Sequence, residues 1–252
     1  MYNDLFTVFG LTIHGYGLMI GLGTVFCLLW TEKRAKKRGM DADLLYSLFM
    51  WVLVIGWTGA KLLYIITVLP VFLSDPLSVL GGEGFVVYGG IIAGVLAAVV
   101  FCRRHGEDIL SWTDLLLPGV ALAQGFGRIG CFLAGCCYGR PTHSPIGVVF
   151  PAGSFAPAGI PLLPTQLFSA AGDLLLCVLL ALSDSKPHRS GRTTACYLIF
   201  YSIGRFIVEF FRNDYRGAVG FLSTSQFISL FTVVLGVVLY YVNKKAEPAA
   251  EI

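Results

Sequence analysis

The sequence predicts an all-α integral membrane protein with seven transmembrane helices, an amino terminus outside the cell and a carboxyl terminus in the cytoplasm. Of its 252 residues, 56% are hydrophobic and only 13% are charged, and the mean hydropathy is +0.76. This composition leaves too little polar surface to cover a soluble globule. Seven apolar segments and a one-sided distribution of cations are the other two observations behind the prediction.

The apolar segments come close to the ~20 residues that a bilayer core requires. They lie near residues 9–30, 44–70, 85–102, 112–135, 164–182, 194–211 and 224–243. The first has no cation before it and "TEKRAKKRG" after it, which inverts the layout of a cleavable signal peptide, so we expect a retained helix. No linker or internal repeat interrupts the chain. We therefore expect a single membrane domain over residues 1–252, with the Pro- and Gly-rich connection 136–163 as a cap over its outer face.

Lysines and arginines determine the predicted orientation, because short cationic loops stay on the cytoplasmic side. Most of the 18 cations lie in the connections 31–43, 103–111, 183–193 and 243–252, whereas the opposite connections hold Arg140, Arg212 and Arg216. The inner loops also explain the formal net charge of +3, so no nucleic-acid partner is expected.

Three cations lie inside apolar segments, where a charge is costly unless it faces a partner or a polar cavity. At ~1.5 Å per helical residue, Lys61, Arg128 and Arg205 lie roughly 26, 24 and 17 Å from the inner ends of their helices. His14, Tyr16 and Tyr88 lie within roughly 5–11 Å of the outer boundary. These groups converge on the outer half of the bilayer and favour an anionic lipid headgroup as ligand. The alternative interpretation is that these cations, above all Lys61, extend their charged ends to the outer lipid headgroups without binding a specific ligand.

The sixth predicted span carries a polar stripe made of Tyr201, Arg205, Glu209 and Arg212. Arg205 and Glu209 are four residues apart and can pair, which leaves other guanidinium donors for a phosphate. Small residues on one helix face, such as Gly89 and Gly90, favour close helix packing. They could also let a headgroup approach the backbone beside Tyr88.

Three of the seven cysteines follow Arg128 closely, at Cys131, Cys136 and Cys137. Their spacing lacks the paired C-x-x-C pattern of common zinc sites, and His143 is the only nearby candidate for a fourth ligand. Packing, redox chemistry and metal binding all stay open, and the sequence assigns no metal ligand and no cofactor.

Five motifs together resemble the phosphatidylglycerol–prolipoprotein diacylglyceryl transferases of bacterial inner membranes. In chain order they are "HGYGLMI", "YGGIIAG", "GRIGCFLAGCCYG", "PTQL" and "YSIGRFIVEFFR". The resemblance covers nearly the whole chain, and the order of the motifs is more specific than any one of them.

This resemblance implies transfer of a diacylglyceryl group from phosphatidylglycerol to the lipobox cysteine of a preprolipoprotein, with release of glycerol 1-phosphate. It implies an enzyme of the bacterial inner membrane whose site faces the outer half of the bilayer, and we expect a monomer. By the resemblance, Arg128, Arg205 and Tyr16 are catalytic, and we expect Tyr88, which stands where the family has a histidine, to act with them. The expected substrate-binding residues are His14, Lys61, Gly89, Gly90, Gly139, Tyr201 and Glu209.

The sequence departs from the family signature at several positions. Cys131, Ala134 and Cys136 replace asparagines and a glutamate, Tyr88 replaces a histidine, and Ser169 stands where a carboxylate often follows "PTQL". A phenol with a reference pKa of about 10 is a poor base, so the general base stays unassigned. Two alternatives to the implied function stay open. One is a non-enzymatic membrane protein for thiol redox or metal handling, and the other is a related transferase with another thiol acceptor.

Overall fold

A computed structural model describes residues 4–8, 11–82, 84–185, 188–214 and 217–245. Its helices are α1 (Gly15–Lys37), α2 (Ala42–Thr67), α3 (Leu69–Ser74), α4 (Pro76–Gly81), α5 (Val87–His105), α6 (Ile109–Ala134), α7 (Thr165–Asp184), α8 (Arg192–Glu209) and α9 (Thr224–Lys245). Short antiparallel hairpins pair β1 (Asp4–Val8) with β2 (Leu11–His14), β3 (Val148–Val149) with β4 (Pro161–Leu162), and β5 (Ala218–Val219) with β6 (Leu222–Ser223). Two cations of the orientation argument, Lys186 and Arg216, lie outside the described residues. The same holds for residues 246–252, which end the last inner connection.

Six helices in the described part of the chain are long and apolar enough to cross a membrane, namely α1, α2, α5, α6, α7 and α9. The chain is therefore a mostly helical, multi-pass membrane protein. Helix α8 coincides with the sixth predicted span, but its 18 residues include Arg192, Arg205 and Glu209, and it is not among the six. The seventh span and the orientation stay predictions.

A β-hairpin precedes the first helix, where the sequence predicted a span from about residue 9. Strands β1 and β2 pair Asp4 with His14, and the hydroxyls of Thr7 and Thr12 lie 3.3 Å apart across the strands. Threonine and other β-branched residues favour this extended pairing. Because α1 begins at Gly15, His14 lies at a strand end and not within a helix.

The chain divides into two compact units, one of which is Glu32–Trp112. In this unit α2 packs closely on α5, and glycines make the contact. A Cβ atom on Gly90 would lie 3.0 Å from the Gly56 carbonyl oxygen, and one on Gly59 would lie 2.7 Å from that of Gly89. Small faces of this kind let helix backbones approach one another.

The second unit contains the residues up to Thr31 and those from Thr113 onward. Its core joins α6, α7 and α8 through Ala121, Leu176, Cys177, Leu180 and Tyr197. The start of α8 is held to α6 by buried Asp114, whose carboxylate accepts hydrogen bonds from Thr194 N (2.7 Å), Thr194 Oγ1 (2.6 Å) and Gly191 N (2.7 Å).

The connection between α6 and α7 has a small core of its own. Phe150, Ala156 and Leu162 are buried together, and Phe132 and Tyr138 pack against them. Strands β3 and β4 lie within this segment. The connection is thus folded against the end of α6, close to the three neighbouring cysteines.

Candidate functional site

A cavity of about 300 Å³ lies between α7 and α8, with Arg128 of α6 among its lining residues. Its polar lining comes from five residues, Arg128, Ser169, Asp173, Tyr201 and Arg205. Leucine, isoleucine, valine and phenylalanine side chains line most of the remainder. The cavity therefore combines two guanidinium groups with an apolar wall, and all its residues belong to one unit.

Arg128 meets an acidic partner that the sequence analysis did not identify. Its Nε atom lies 3.9 Å from Asp173 Oδ2, and the two side chains are only 19% and 10% exposed. Asp173 also interacts electrostatically with Arg205. Its Oδ2 atom is buried and accepts no hydrogen bond from any described residue. Asp173 thus influences both arginines while one of its oxygen atoms keeps its hydrogen-bonding capacity.

Arg205 is held on two sides. Its Nη1 atom lies 2.8 Å from Glu209 Oε2, which confirms the predicted pair, and its Nη2 atom donates a 2.8 Å hydrogen bond to Ser225 Oγ of α9. The predicted polar stripe ends there, because α8 ends at Glu209. Arg212 lies beyond the helix and binds Asp214 instead, through bonds of 2.9 and 2.7 Å.

Tyr201 lines the same cavity and is fixed by stacking. Its ring lies 5.3 Å from that of Tyr197, nearly parallel to it, and the Tyr197 hydroxyl donates a 2.9 Å hydrogen bond to Gln124 Oε1 of α6. This arrangement presents Tyr201 beside Arg128, with which it interacts electrostatically.

The end of α6 brings the three neighbouring cysteines together. Gly135 takes the left-handed conformation (φ +76°), Cys136 N donates to Cys131 O at 3.1 Å, and Gly135 N donates to Phe132 O at 3.2 Å. These bonds form a Schellman cap, which brings the third residue before the cap onto the second residue after it. Cys137 follows with φ +63°, and the three Sγ atoms all lie within 4.8 Å of one another.

Helix α7 holds this turn from the other side. Thr165 Oγ1 donates to Cys137 O and Gln166 Nε2 donates to Cys136 O, each at 2.8 Å. Hydrogen bonding to Cys131 and Cys137, together with burial, raises the pKa of Cys136 well above its usual range. The "PTQL" motif therefore positions the cysteine-bearing turn.

Two of the residues assigned by the resemblance lie next to these cysteines. Tyr16 interacts electrostatically with all three thiols and with Arg128. Gly139 donates its N–H to Leu163 O at 3.0 Å, and a Cβ atom at Gly139 would lie 2.6 Å from that oxygen. A larger residue at position 139 would separate the turn from the start of α7.

The structure therefore brings together Tyr16, Arg128, Gly139, Tyr201, Arg205 and Glu209 within one unit. His14 belongs to the same unit, but its Nδ1 atom lies 2.6 Å from Asp4 Oδ1 and its side chain is half exposed. The sequence prediction did not include Asp173, because the fifth apolar segment carries no cation to mark it. The acid in "SAAGDLLL" was the signal that would have found it.

The other assigned residues lie in the Glu32–Trp112 unit. Gly89 and Gly90 form the close contact between α2 and α5, and Tyr88 is partly exposed at the start of α5. Lys61 is buried, donates to Gly82 O at 2.7 Å and lies 4.8 Å from the centre of the Phe85 ring. Packing and hydrogen bonding within their own unit therefore explain why Lys61 is buried and why glycines stand at positions 89 and 90.

Known proteins resemble this chain along almost its full length. The family model for prolipoprotein diacylglyceryl transferase matches residues 3–242. The chain is 49% identical to phosphatidylglycerol–prolipoprotein diacylglyceryl transferase 2 of Clostridium perfringens, over 94% of this chain and 93% of that protein. It is 47% identical to the phosphatidylglycerol–prolipoprotein diacylglyceryl transferase of Clostridium tetani, over 95% and 97% of the two chains. The chain therefore belongs to the prolipoprotein diacylglyceryl transferase family.

Proposed function

We propose that this protein transfers the diacylglyceryl group of phosphatidylglycerol to the lipobox cysteine thiol of preprolipoproteins, releasing glycerol 1-phosphate and forming a thioether. The observation that carries the proposal is the pair of buried guanidiniums, Arg128 and Arg205, at an otherwise apolar cavity. The names of the relatives from Clostridium perfringens and Clostridium tetani state a diacylglyceryl transferase that acts on phosphatidylglycerol and prolipoprotein, which supports the proposal.

The cavity suits a lipid that carries one negative charge. Its apolar wall includes side chains that face outward, such as Leu175 and Phe200, which are 59% and 58% exposed. In a membrane these side chains contact acyl chains, so a lipid can reach the cavity between α7 and α8 without crossing water. The phosphodiester then lies against the arginines, because guanidinium groups bind phosphate through paired hydrogen bonds.

The two arginines supply the main chemical assistance. Breaking the carbon–oxygen bond of the lipid places negative charge on the departing phosphate oxygens, and fixed donors in a dry site stabilise such charge strongly. Arg205 is fixed by Glu209 and Ser225. Arg128 has a looser partner in Asp173 at 3.9 Å, which leaves its donors available to phosphate.

We assign Asp173 the role of a positioning residue for both arginines. The family signature often has a carboxylate at the position of Ser169, and Asp173 provides one a single helical turn further along α7. Tyr201 and Tyr16 flank Arg128 and are placed to bind the phosphate or the acceptor peptide. Tyr88 is assigned to the reaction only because it stands where the family signature has a histidine.

The proposal extends to the protein's place in the cell. We propose a single-domain monomer in the bacterial inner membrane, with α8 as a seventh span, the amino terminus outside and the site in the outer half of the bilayer. Residues 136–163 then form a cap on the outer face, where the secreted acceptor arrives. The distribution of lysine and arginine supports this orientation.

Complementation tests the proposal in cells. Bacteria depleted of their own transferase should recover diacylglyceryl-modified lipoproteins when they express this chain, and should not recover them with the Arg205→Ala variant. Normal membrane insertion without any lipoprotein modification would contradict the proposed acceptor. Modification of a different thiol compound would instead identify a related transferase.

A further inference from the structure

We propose that Cys131, Cys136 and Cys137 bind a zinc ion whose fourth coordination position takes the acceptor thiol of the substrate as a thiolate. The inference rests on the proposed function and deepens it, since it names the group that activates the nucleophile. The spacing of the cysteines in the sequence did not indicate a zinc site. The structural observation behind the inference is that the three sulfur atoms lie close to one another.

The distances fit a zinc ion. A Zn–S bond of about 2.3 Å implies sulfur atoms roughly 3.8 Å apart around a tetrahedral ion. The three Sγ atoms already lie within 4.8 Å of one another, so binding requires movements of about an ångström, which rotation about the Cα–Cβ bonds can supply. Thiolates are soft ligands that favour zinc over magnesium or calcium.

The backbone is organised to hold such a site. The cap around Gly135 brings Cys131 and Cys136 together across the helix end. Thr165 and Gln166 of α7 fix the carbonyls of Cys137 and Cys136 through 2.8 Å hydrogen bonds. A fixed backbone lowers the ordering cost of ligand binding.

Three ligands and an open position are typical of catalytic zinc, whereas structural zinc sites are closed by four. Among the described residues, no histidine, aspartate or glutamate joins the three cysteines as a ligand group. Cys136 and Cys137 are only partly buried, which leaves one side of the group accessible to a fourth ligand.

Neighbouring cations suit the charge of such a site. Zinc with three thiolates carries one negative charge, and a fourth thiolate makes it two. Arg212 interacts with the Cys137 thiol, and Arg128 interacts electrostatically with Cys131 and Cys137. Arg128 also lines the proposed lipid cavity, so the same residue connects the two halves of the reaction.

The reaction needs this help because a free cysteine is mostly protonated at neutral pH, and the thiolate is the nucleophile. In the unit that holds the arginines, His14 is paired with Asp4 and His188 with Asp184, and His143 lies exposed in the connection between α6 and α7, so none of the three lines the arginine cavity. A thiol that coordinates zinc is deprotonated outright. Its proton passes to water, and its sulfur lone pair forms a bond to the glyceryl carbon. The bond from that carbon to the phosphate oxygen breaks, and its electron pair leaves with glycerol 1-phosphate. The oxidation state of zinc does not change in this step.

Metal analysis of the purified full-length protein is the first test. After incubation with zinc and removal of the excess, we expect one zinc per chain in the wild type and in the control variant Cys196→Ser. The triple variant Cys131→Ser, Cys136→Ser, Cys137→Ser should lose it. If this variant does not fold, Cys137→Ser alone should weaken zinc retention at least tenfold in a chelator competition. Equal zinc retention by the variants, or no zinc in the wild type, would overturn the inference.

X-ray absorption at the zinc edge tests the open position without any lipid present. We expect three sulfur neighbours in the protein alone and four after addition of a lipobox peptide, with no change for a peptide that has serine in place of cysteine. An unchanged sulfur count would overturn the role in acceptor binding. Full transfer activity in a metal-stripped triple variant would refute the role of zinc in transfer and leave the proposed function standing. A protein that binds zinc and the peptide but transfers no lipid would support the zinc site and contradict the proposed function.

Discussion

Arg128 Nε and Asp173 Oδ2 lie 3.9 Å apart, too far for a hydrogen bond and close enough for strong attraction in a buried site. Asp173 therefore restrains the guanidinium without saturating its donors. Arg205 differs, because Glu209 and Ser225 both contact it at 2.8 Å. We infer that Arg205 is the fixed anchor for the phosphate and that Arg128 adjusts to the charge that develops during transfer.

Replacing either arginine by alanine should nearly abolish transfer. We expect losses of at least ~10²–10³ in kcat for Arg128→Ala and Arg205→Ala, because each removes a buried guanidinium that stabilises the charge on the leaving phosphate. Assays in phosphatidylglycerol micelles provide the measurement, and exposed Arg103 supplies the control variant Arg103→Ala. Near-normal turnover by folded Arg205→Ala protein would remove that residue from the mechanism.

Asp173 should matter through its charge and position. We expect Asp173→Asn to lower kcat by ~10–100-fold with a smaller change in KM, since misplaced donors weaken the transition state more than the bound lipid. Asp173→Glu should recover part of the loss. Asp43→Asn is the matched control, because it makes the same chemical change at an exposed residue of α2 that does not line the cavity. Equal activity of wild type and Asp173→Asn would refute the positioning role.

Tyr88 offers a test of hydrogen bonding against base catalysis. If the phenol positions phosphate, Tyr88→Phe should lower the whole pH–rate curve without moving it, and Tyr88→His should retain activity because imidazole also donates. A phenol acting as base would need a pKa several units below about 10. A displaced apparent pKa in Tyr88→Phe, measured with a peptide whose thiol titration is known, would show that Tyr88 is the base.

Asp114 should contribute stability and not catalysis. Asp114→Ala leaves the buried N–H groups of Thr194 and Gly191 without their acceptor, which we expect to cost about 2–4 kcal/mol. Thermal unfolding in detergent would measure the loss. Asp108→Ala, which removes an exposed cap from the start of α6, should cost about 1 kcal/mol. Equal losses in the two variants would contradict the importance of burial at Asp114.

The sequence was informative where chemistry depends on local spacing. Four-residue spacing predicted the Arg205–Glu209 pair. Apolar length predicted seven spans, and six of them correspond to helices long and apolar enough to cross a membrane in the described part of the chain. The pairing of Arg128 with Asp173 depends on how α6 and α7 pack, which no local pattern reveals. The approach of Cys131 to Cys136 depends on the cap at Gly135, where helical periodicity ends.

The first helix begins later in the structure than its apolar segment predicts. The residues before Gly15 are apolar enough to extend a span, yet they pair as β1 and β2. Apolar composition alone does not separate a short strand from a helical turn. His14 was therefore expected within a helix, whereas the hairpin pairs it with Asp4.

Mass spectrometry of a lipobox peptide incubated with purified protein and phosphatidylglycerol tests the proposed transfer itself. We expect a peptide heavier by one diacylglyceryl group on its cysteine, with an equal amount of glycerol 1-phosphate released. Neither product should form with the serine peptide or with Arg205→Ala. A cysteine peptide that stays unmodified in the presence of folded wild-type protein, added zinc and phosphatidylglycerol would contradict the proposed function.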